Sequence, residues 1–279
     1  MRYGFVLPGG TAIEQLEQAV LADEAGWDGV FVWEAAYGVD AWTLLGAMAQ
    51  RTTRVRLGTM LTPLPWRRPW KVASQAVTLD QVSNGRAILA VGLGAVDAWL
   101  GETGEVIDRR TRAEMLDEGI DLITGFWDGH LHFAGRHYRA DLVARDDLPS
   151  VAVSVQQPRV PIWVVGAWPR PKSMRRVLRC DGLLPAVMDE HGFRETRPDD
   201  IAAIRAWLDD QGGTRPGFEI VMEGETPADD LTAASAITAS WAEAGCTWWL
   251  ETRWQPPLHS PERMRQARER IVAGPPRPA

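Results

Sequence analysis

The 279-residue sequence contains two cysteines, Cys180 and Cys246. Two thiols cannot build a disulfide framework or a thiolate metal cage, so stability must come from a packed core. Both read as small buried residues near strand starts. Histidine is also scarce, at five. His130 and His132 alternate along one short segment, but no third ligand accompanies them and no metal is assigned. Lys71 and Lys172 are the two lysines among 30 basic residues. No apolar run reaches bilayer-spanning length. A strand pattern starts within a few residues of Met1, which leaves no room there for a signal peptide and points to the cytoplasm. The formal net charge is −7. Such a balance gives no general reason to bind nucleic acid or an anionic membrane, and an anionic cofactor would need a local cationic pocket. No P-loop, nucleophile elbow or zinc signature is found.

What is present is alternation. Apolar residues make up 45% of the chain, enough for a sizeable core. Short apolar strands are read over Arg2–Pro8, Gly29–Glu34, Val55–Thr62, Ala87–Gly92, Pro161–Ala167, Asp181–Ala186, Phe218–Gly224 and Cys246–Arg253. Most are continuously apolar, as strands buried on both faces are. Amphipathic helices fall between them. Their stripes run through Ile13, Leu16 and Val20; Leu116, Ile120, Ile123 and Trp127; Ile201, Ile204 and Leu208; Ala234, Ile237 and Trp241; and Met264, Ala267 and Ile271. Gly26 and Gly245 stand where left-handed caps end helices. Eight strand–helix units predict an α/β fold, a (β/α)₈ TIM barrel, in one domain over 1–279. An open doubly wound sheet is the alternative, but Pro8-Gly9-Gly10-Thr11 lacks the G-x-G-x-x-G spacing of its first turn. The connection after strand 4, about 95–160, is read as an insertion with a helix over Arg112–Trp127 and a hairpin around Ala134-Gly135-Arg136. The Pro-rich tail 274–279 is expected to fray.

Barrel function gathers where strands end and βα loops begin. That rule selects Pro8 and Gly9, Glu34, Thr59 to Thr62, Gly92-Leu93-Gly94, Gly166-Ala167-Trp168, Met188, Glu223, Arg253 and Trp254. Carboxylates and histidines are rare in this set, which disfavours metal-assisted hydrolysis and suits a flat, weakly polar ligand. The Gly92/Gly94 pair serves either a tight turn or close approach of a ligand. The small loop at Gly166 is followed by Arg170, Lys172, Arg175 and Arg176, which makes it either a phosphate cradle or a solvated basic face. Glu34 either accepts hydrogen bonds or protons from a ligand or pairs with an arginine. Arg253 either holds an anionic substrate group or is a structural pair. These two are the weak catalytic candidates. Trp33, Trp66 and Trp254 stand at or near strand ends, as a substrate pocket requires.

Several of these segments resemble a known family. Ala25-Gly26-Trp27-Asp28-Gly29-Val30-Phe31-Val32-Trp33 is similar to the helix-to-strand signature of bacterial-luciferase-like oxidoreductases. So are Val55–Thr59, Arg67-Arg68-Pro69, Thr78–Arg86, Ala87–Gly94, Phe133–Tyr138, Pro161–Gly166 and Cys180-Asp181-Gly182. The resemblance implies an enzyme using FMN or the deazaflavin F420, with a slight preference for F420. It implies a bulge, often with a non-prolyl cis peptide, around Thr59-Met60-Leu61. The ring would lie over that bulge, near Glu34 and Gly92, Leu93 and Gly94, and the phosphate near Gly166, Ala167 and Trp168. Sugar-phosphate and alcohol dehydrogenases of this type carry an acid then His after the second strand, where this chain has Glu34-Ala35. The sugar-phosphate enzymes also carry Glu after the G-x-G, where this chain has Ala95. Those chemistries are therefore not carried over. The expected protein is a flavin- or deazaflavin-dependent oxidoreductase or monooxygenase acting on a small organic molecule; a homodimer fits the resemblance. The alternative is a non-catalytic flavin-binding homologue of the same fold.

Overall fold

The computed structural model describes residues 1–96, 99, 101–143, 153–253 and 260–277. The strands are β1 (Arg2–Val6), β2 (Gly29–Val32), β3 (Arg56–Thr59), β4 (Ala87–Gly92), β5 (Ile162–Trp168), β6 (Gly182–Asp189), β7 (Glu219–Gly224) and β8 (Trp248–Glu251). The helices between and after them are α1 (Ala12–Glu24), α2 (Ala41–Arg51), α3 (Pro69–Val82), α4 (Arg109–Trp127), α5 (Pro171–Val177), α6 (Pro198–Asp210), α7 (Leu231–Ala244) and α8 (Pro261–Val272). Each strand pairs in parallel with the next, as in Gly4↔Gly29, Val30↔Leu57, Leu89↔Ile162 and Val221↔Trp248. Arg2↔Trp248 closes the ring. This is the (β/α)₈ barrel that the alternation predicts.

The third strand does not run unbroken to Thr62. It stops at Thr59, the Met60–Leu61 peptide is cis, and pairing resumes with Thr62↔Val91 and Pro63↔Gly92. Gly58, just before the break, has no room for a side chain: a Cβ there would lie 2.5 Å from the Ile88 carbonyl oxygen.

Two apolar layers hold the barrel. Inside it, Phe31, Trp163 and Trp248 pack with centroids 5.4, 6.1 and 5.3 Å apart, together with Val6, Met60, Ile88, Leu184 and Leu250. Outside it, the helices cover the strands' other face, and Ile201, Ile204, Leu208, Ala267 and Ile271 are fully buried. Two helix faces differ from the periodic reading. On α1, Ile13 is 65% exposed and the buried face runs through Gln15, Gln18, Ala19 and Ala22. Alanines let the helix approach its neighbours closely, and that packing outweighs the pull of one isoleucine. On α7, Ala234 is buried and Trp241 packs against the core as the stripe predicts, but Ile237 is exposed and Thr238 is buried in its place.

Helix α4 packs on α3 in the ordinary fourth position of the barrel. The added element comes after α4: a hairpin pairing His132–Ala134 with Arg139–Asp141. The Glu118 carboxylate accepts the backbone N–H groups of Arg136, His137 and Tyr138 and so ties the hairpin to α4. No described helix is long and apolar enough to cross a membrane.

Candidate active site

A cleft of about 720 Å³ opens at the C-terminal ends of the strands. Its floor is apolar: Trp33 after β2, Met60, Leu61 and Pro63 at the break in β3, Leu93 after β4 and Val165 in β5. Its opposite wall is cationic: Arg109 and Arg112 from α4, then Arg170, Lys172 and Arg176 around α5. Phe193, 63% exposed, stands at the mouth.

Glu34 is the one carboxylate among the described lining residues. Its side chain is 6% exposed and its oxygens are fully engaged. Oε1 meets the Arg67 guanidinium at 2.5 Å, while Oε2 accepts from Thr62 Oγ1 at 2.7 Å and Trp42 Nε1 at 3.2 Å. Burial pushes this carboxyl above its ordinary range, against the opposing pull of Arg67, Thr62 and Trp42. Arg67 is in turn held by Gln75. Of the two readings left open for Glu34, pairing with an arginine is the one the geometry contains. Arg67 belongs to the Arg67-Arg68-Pro69 motif, but Thr62 and Trp42 as its partners were not legible, since neither spacing nor periodicity links them to Glu34.

The other expected site residues separate into those that face the cleft and those that support it. Met60, Leu61, Leu93, Gly94, Ala167 and Trp33 line it. Thr59 is fully buried, 2.9 Å from Thr62 Oγ1, and so anchors the break from below. Gly92 lies beneath Leu61 and Val165, both within 3.1 Å of where its Cβ would be. Trp66 is a buttress: its Nε1 donates to the Val106 carbonyl, and a Cβ on Gly94 would fall 2.0 Å from its ring. Gly166 faces outward to Leu183, Val177 and Met174 at the helix interface. Trp168 also turns away, its ring 6.1 Å from that of Trp207 on α6. The loop there offers fewer free amides than its glycine suggests. Ala167 N–H already donates to Ser173 Oγ at 2.9 Å, and Pro169 and Pro171 have no N–H to give. Its exposed Arg170 and Lys172 side chains supply the charge instead. Trp254 lies outside the described residues.

Arg253 is not in this cleft. Its guanidinium reaches Glu225 at 3.0 Å and Glu251 at 3.1 Å and donates to the Thr226 carbonyl. Glu251, wholly buried, also accepts from Thr226 and lies 3.7 Å from buried Arg270. Arg253 is thus part of a structural ion cluster joining β8, the β7 loop and α8. Burial pushes the Cys180 and Cys246 thiols up to about 12, which leaves them inert. No group of three metal-ligating side chains occurs among the described residues.

Arg112 was missed, although the sequence carried a signal for it. It stands one turn before Leu116 on the stripe Leu116–Ile120–Ile123, a charged residue on a buried face. Met188 stands at a strand end as expected, but Arg109 and Phe193, which it meets, come near it only through the tertiary fold.

Comparison with known proteins agrees with this architecture. Among solved structures, an F420-dependent secondary alcohol dehydrogenase in complex with an F420–acetone adduct superposes with a TM-score of 0.74 over 98% of each chain at 18% identity. A monooxygenase from Streptomyces bottropensis does so with 0.74 over 98% of each at 19%. By sequence, the chain is 32% identical over 236 residues to a Mycobacterium tuberculosis protein provisionally named a coenzyme F420-dependent oxidoreductase, covering 78% of this chain and 63% of that one. It is 32% identical to an F420-dependent glucose-6-phosphate dehydrogenase of Microbacterium testaceum, covering 84% and 70%. Against a 4-hydroxyprotoasukamycin monooxygenase of Streptomyces nodosus it is 37% identical, covering 42% and 34%. The chain therefore spans between a third and two thirds of the length of several relatives it matches. The family model described as luciferase-like monooxygenase matches residues 3–270, and the chain belongs to that family.

Proposed function

We infer that this protein is an oxidoreductase that binds F420 or FMN in the cleft and acts on a small organic molecule, with F420 the better fit. The observation that carries the reading is the contrast within one cavity: an apolar floor at the Met60–Leu61 break and a cationic wall, in a chain of net charge −7. A flat tricyclic ring suits the floor. A phosphate suits Arg170, Lys172 and Ser173, whose hydroxyl accepts from Ala167 and keeps its own proton to donate. The bound ring supplies hydride transfer or oxygen activation. The protein's own residues bind, orient and exclude water. Leu61, Pro63 and Val165 provide the dry surface, and Glu34 with Arg67 and Thr62 fixes the floor's shape. Support for F420 comes from the relatives named for it and from exposed Arg170 and Lys172, where an anionic tail would leave the cleft. The relatives' substrates are not carried over, because Ala35 follows Glu34 where those dehydrogenases have His, and Ala95 stands where the sugar-phosphate enzymes have Glu. The reading extends to a one-domain cytoplasmic enzyme, homodimeric, with no nucleic-acid partner.

Paired fluorescence titrations with F420 and with FMN test the assignment. Saturable binding of F420 at micromolar concentration or tighter is expected, and binding of neither cofactor would overturn it. A second reading, binding without turnover, is favoured by one observation: Glu34, the sole described carboxylate lining the cleft, has no free oxygen with which to move a proton. A turnover screen with reduced cofactor separates the two.

A further inference from the structure

A second cavity, of about 240 Å³, lies at the closed end of the barrel, and no described residue lines both it and the cleft. Ile88 and Trp163 close its inner end. Trp163 packs inward on Phe31 and Trp248, so the barrel's apolar interior separates the cavity from the cleft floor. Among the described residues its charged lining is three guanidinium groups and two carboxylates. Arg2 stands at the start of β1, Arg56 at the start of β3 and Arg159 ahead of β5; Asp181 stands ahead of β6 and Glu219 at the start of β7.

Both carboxylates are already engaged. Glu219 meets Arg2 at 2.9 Å. Asp181 meets the buried Arg159 guanidinium through both oxygens, accepts the Ile162 N–H and lies 3.8 Å from Arg215. Arg56 is the cation left over: no carboxylate among the described residues lies within ion-pair distance of it. Its guanidinium donates through Nη1 to Gln156 Oε1 at 3.0 Å, and Gln156 Nε2 donates on to Asp80 at 2.6 Å. Asp80 is itself committed to the backbone N–H groups of Val155 and Gln156. Burial and the Arg2 charge push the Arg56 guanidinium below its ordinary value, against the pull of Glu219 and Asp80. The cavity thus carries an excess of positive charge even before Arg215 is counted. Burying such an excess is costly, and an entering anion relieves it.

We propose that this closed-end cavity binds a phosphate group, and that the bound anion ties together the starts of β1, β3 and β5. The three guanidinium groups enter from different sides of the strand ring. Their donors therefore suit the oxygens of a tetrahedral anion better than the coplanar pair of a carboxylate. The inference does not depend on the cofactor reading, since the cleft takes no part in it.

Calorimetric titration of inorganic phosphate into the full chain, at an ionic strength fixed with NaCl, tests it. Saturable binding at millimolar concentration or tighter is expected, and phosphate at ten times its Kd should raise Tm by about 2 °C or more. R56Q should weaken binding at least fivefold. E219Q, which adds to the positive excess, should tighten it at least threefold. R2Q changes a half-exposed side chain and should weaken binding at least threefold, so it decides the matter if R56Q fails to fold. The double variant R170Q/K172Q removes exposed cations of the cleft and should keep the binding. Methyl phosphate, titrated beside the free ion, distinguishes an ester from inorganic phosphate; tighter binding of either supports the site and identifies its form. Absence of saturable binding would overturn the proposal, as would acetate binding more tightly than phosphate. So would loss of binding in R170Q/K172Q with R56Q and R2Q unaffected, because the phosphate would then belong to the cleft.

Discussion

At Gly94 the cleft wall has no room for a methyl group. Its φ is +80°, and an added Cβ would stand 2.0 Å from the Trp66 ring and 2.7 Å from Pro63 Cβ. G94A is therefore expected to cost about 2 kcal/mol or more of stability and to weaken cofactor binding at least tenfold, read by denaturant unfolding and by titration. Glu34 makes a different case. E34A leaves Arg67, Thr62 and Trp42 facing a buried gap, for a loss of about 3 kcal/mol. E34Q keeps the shape and should lose less, a ranking that urea unfolding checks directly. The Gly92/Gly94 pair was legible in the sequence as two alternatives, turn or ligand approach, and the geometry divides them: Gly92 supports the floor and Gly94 lines it. Trp66, Trp168 and Arg253 stand near strand ends as expected. Strand-end position, however, does not say which way a side chain turns, and these three turn into packing or ion pairs.

At the scale of the elements, the closed end of the barrel is fastened by carboxylates and one arginine. Asp23, at the end of α1, accepts from the backbone N–H groups of Thr53, Arg54 and Val55 ahead of β3. Asp28 accepts from Tyr3, and Asp181 from Ile162. Arg86 donates to Ala49, Thr52, Val55 and Ser83 carbonyls and to the Thr52 hydroxyl, tying α2 and α3 to β3. A lysine cannot fan out in this way, so R86K is expected to lose about 2–3 kcal/mol, measured by thermal unfolding. For Asp23, burial pushes the carboxyl up, but the donors from Thr53, Val55 and Arg54 outweigh it and hold it below its ordinary 3.8. A lowered carboxyl stabilises the fold above that ordinary value and loses its contribution as pH falls from there through the folded value. D23N, which has no such titration, should be less stable at neutral pH and show a shallower fall in Tm below pH 3.8. These residues sit in the motifs Ala25–Trp33, Val55–Thr59, Thr78–Arg86 and Cys180-Asp181-Gly182 or beside them, so their importance was legible while their partners were not. The helix stripes were legible for α4, α6 and α8. On α1 and α7 they failed at Ile13 and Ile237, which are exposed while Ala19, Ala22 and Thr238 pack inward.

The whole molecule is acidic yet gathers cations without described acid partners in one cleft, so the field that draws an anion is local. Binding of F420 should weaken at least about fivefold between about 50 and about 500 mM NaCl, while Tm moves by less than about 2 °C, because exposed charge is screened and the apolar layers are not. An affinity indifferent to salt would mean that the cationic wall takes no part in binding. The order of events in synthesis follows from the Arg2↔Trp248 register. The barrel's first strand has no partner on one side until its eighth strand leaves the ribosome. Through most of translation the nascent sheet is an open ribbon with two unsatisfied edges, and a chain that stops short of Trp248 keeps them. Loss of the segment from Trp248 onward would thus act less like a trimmed tail than like an unzipped seam, and would mark the remainder for chaperones or aggregation.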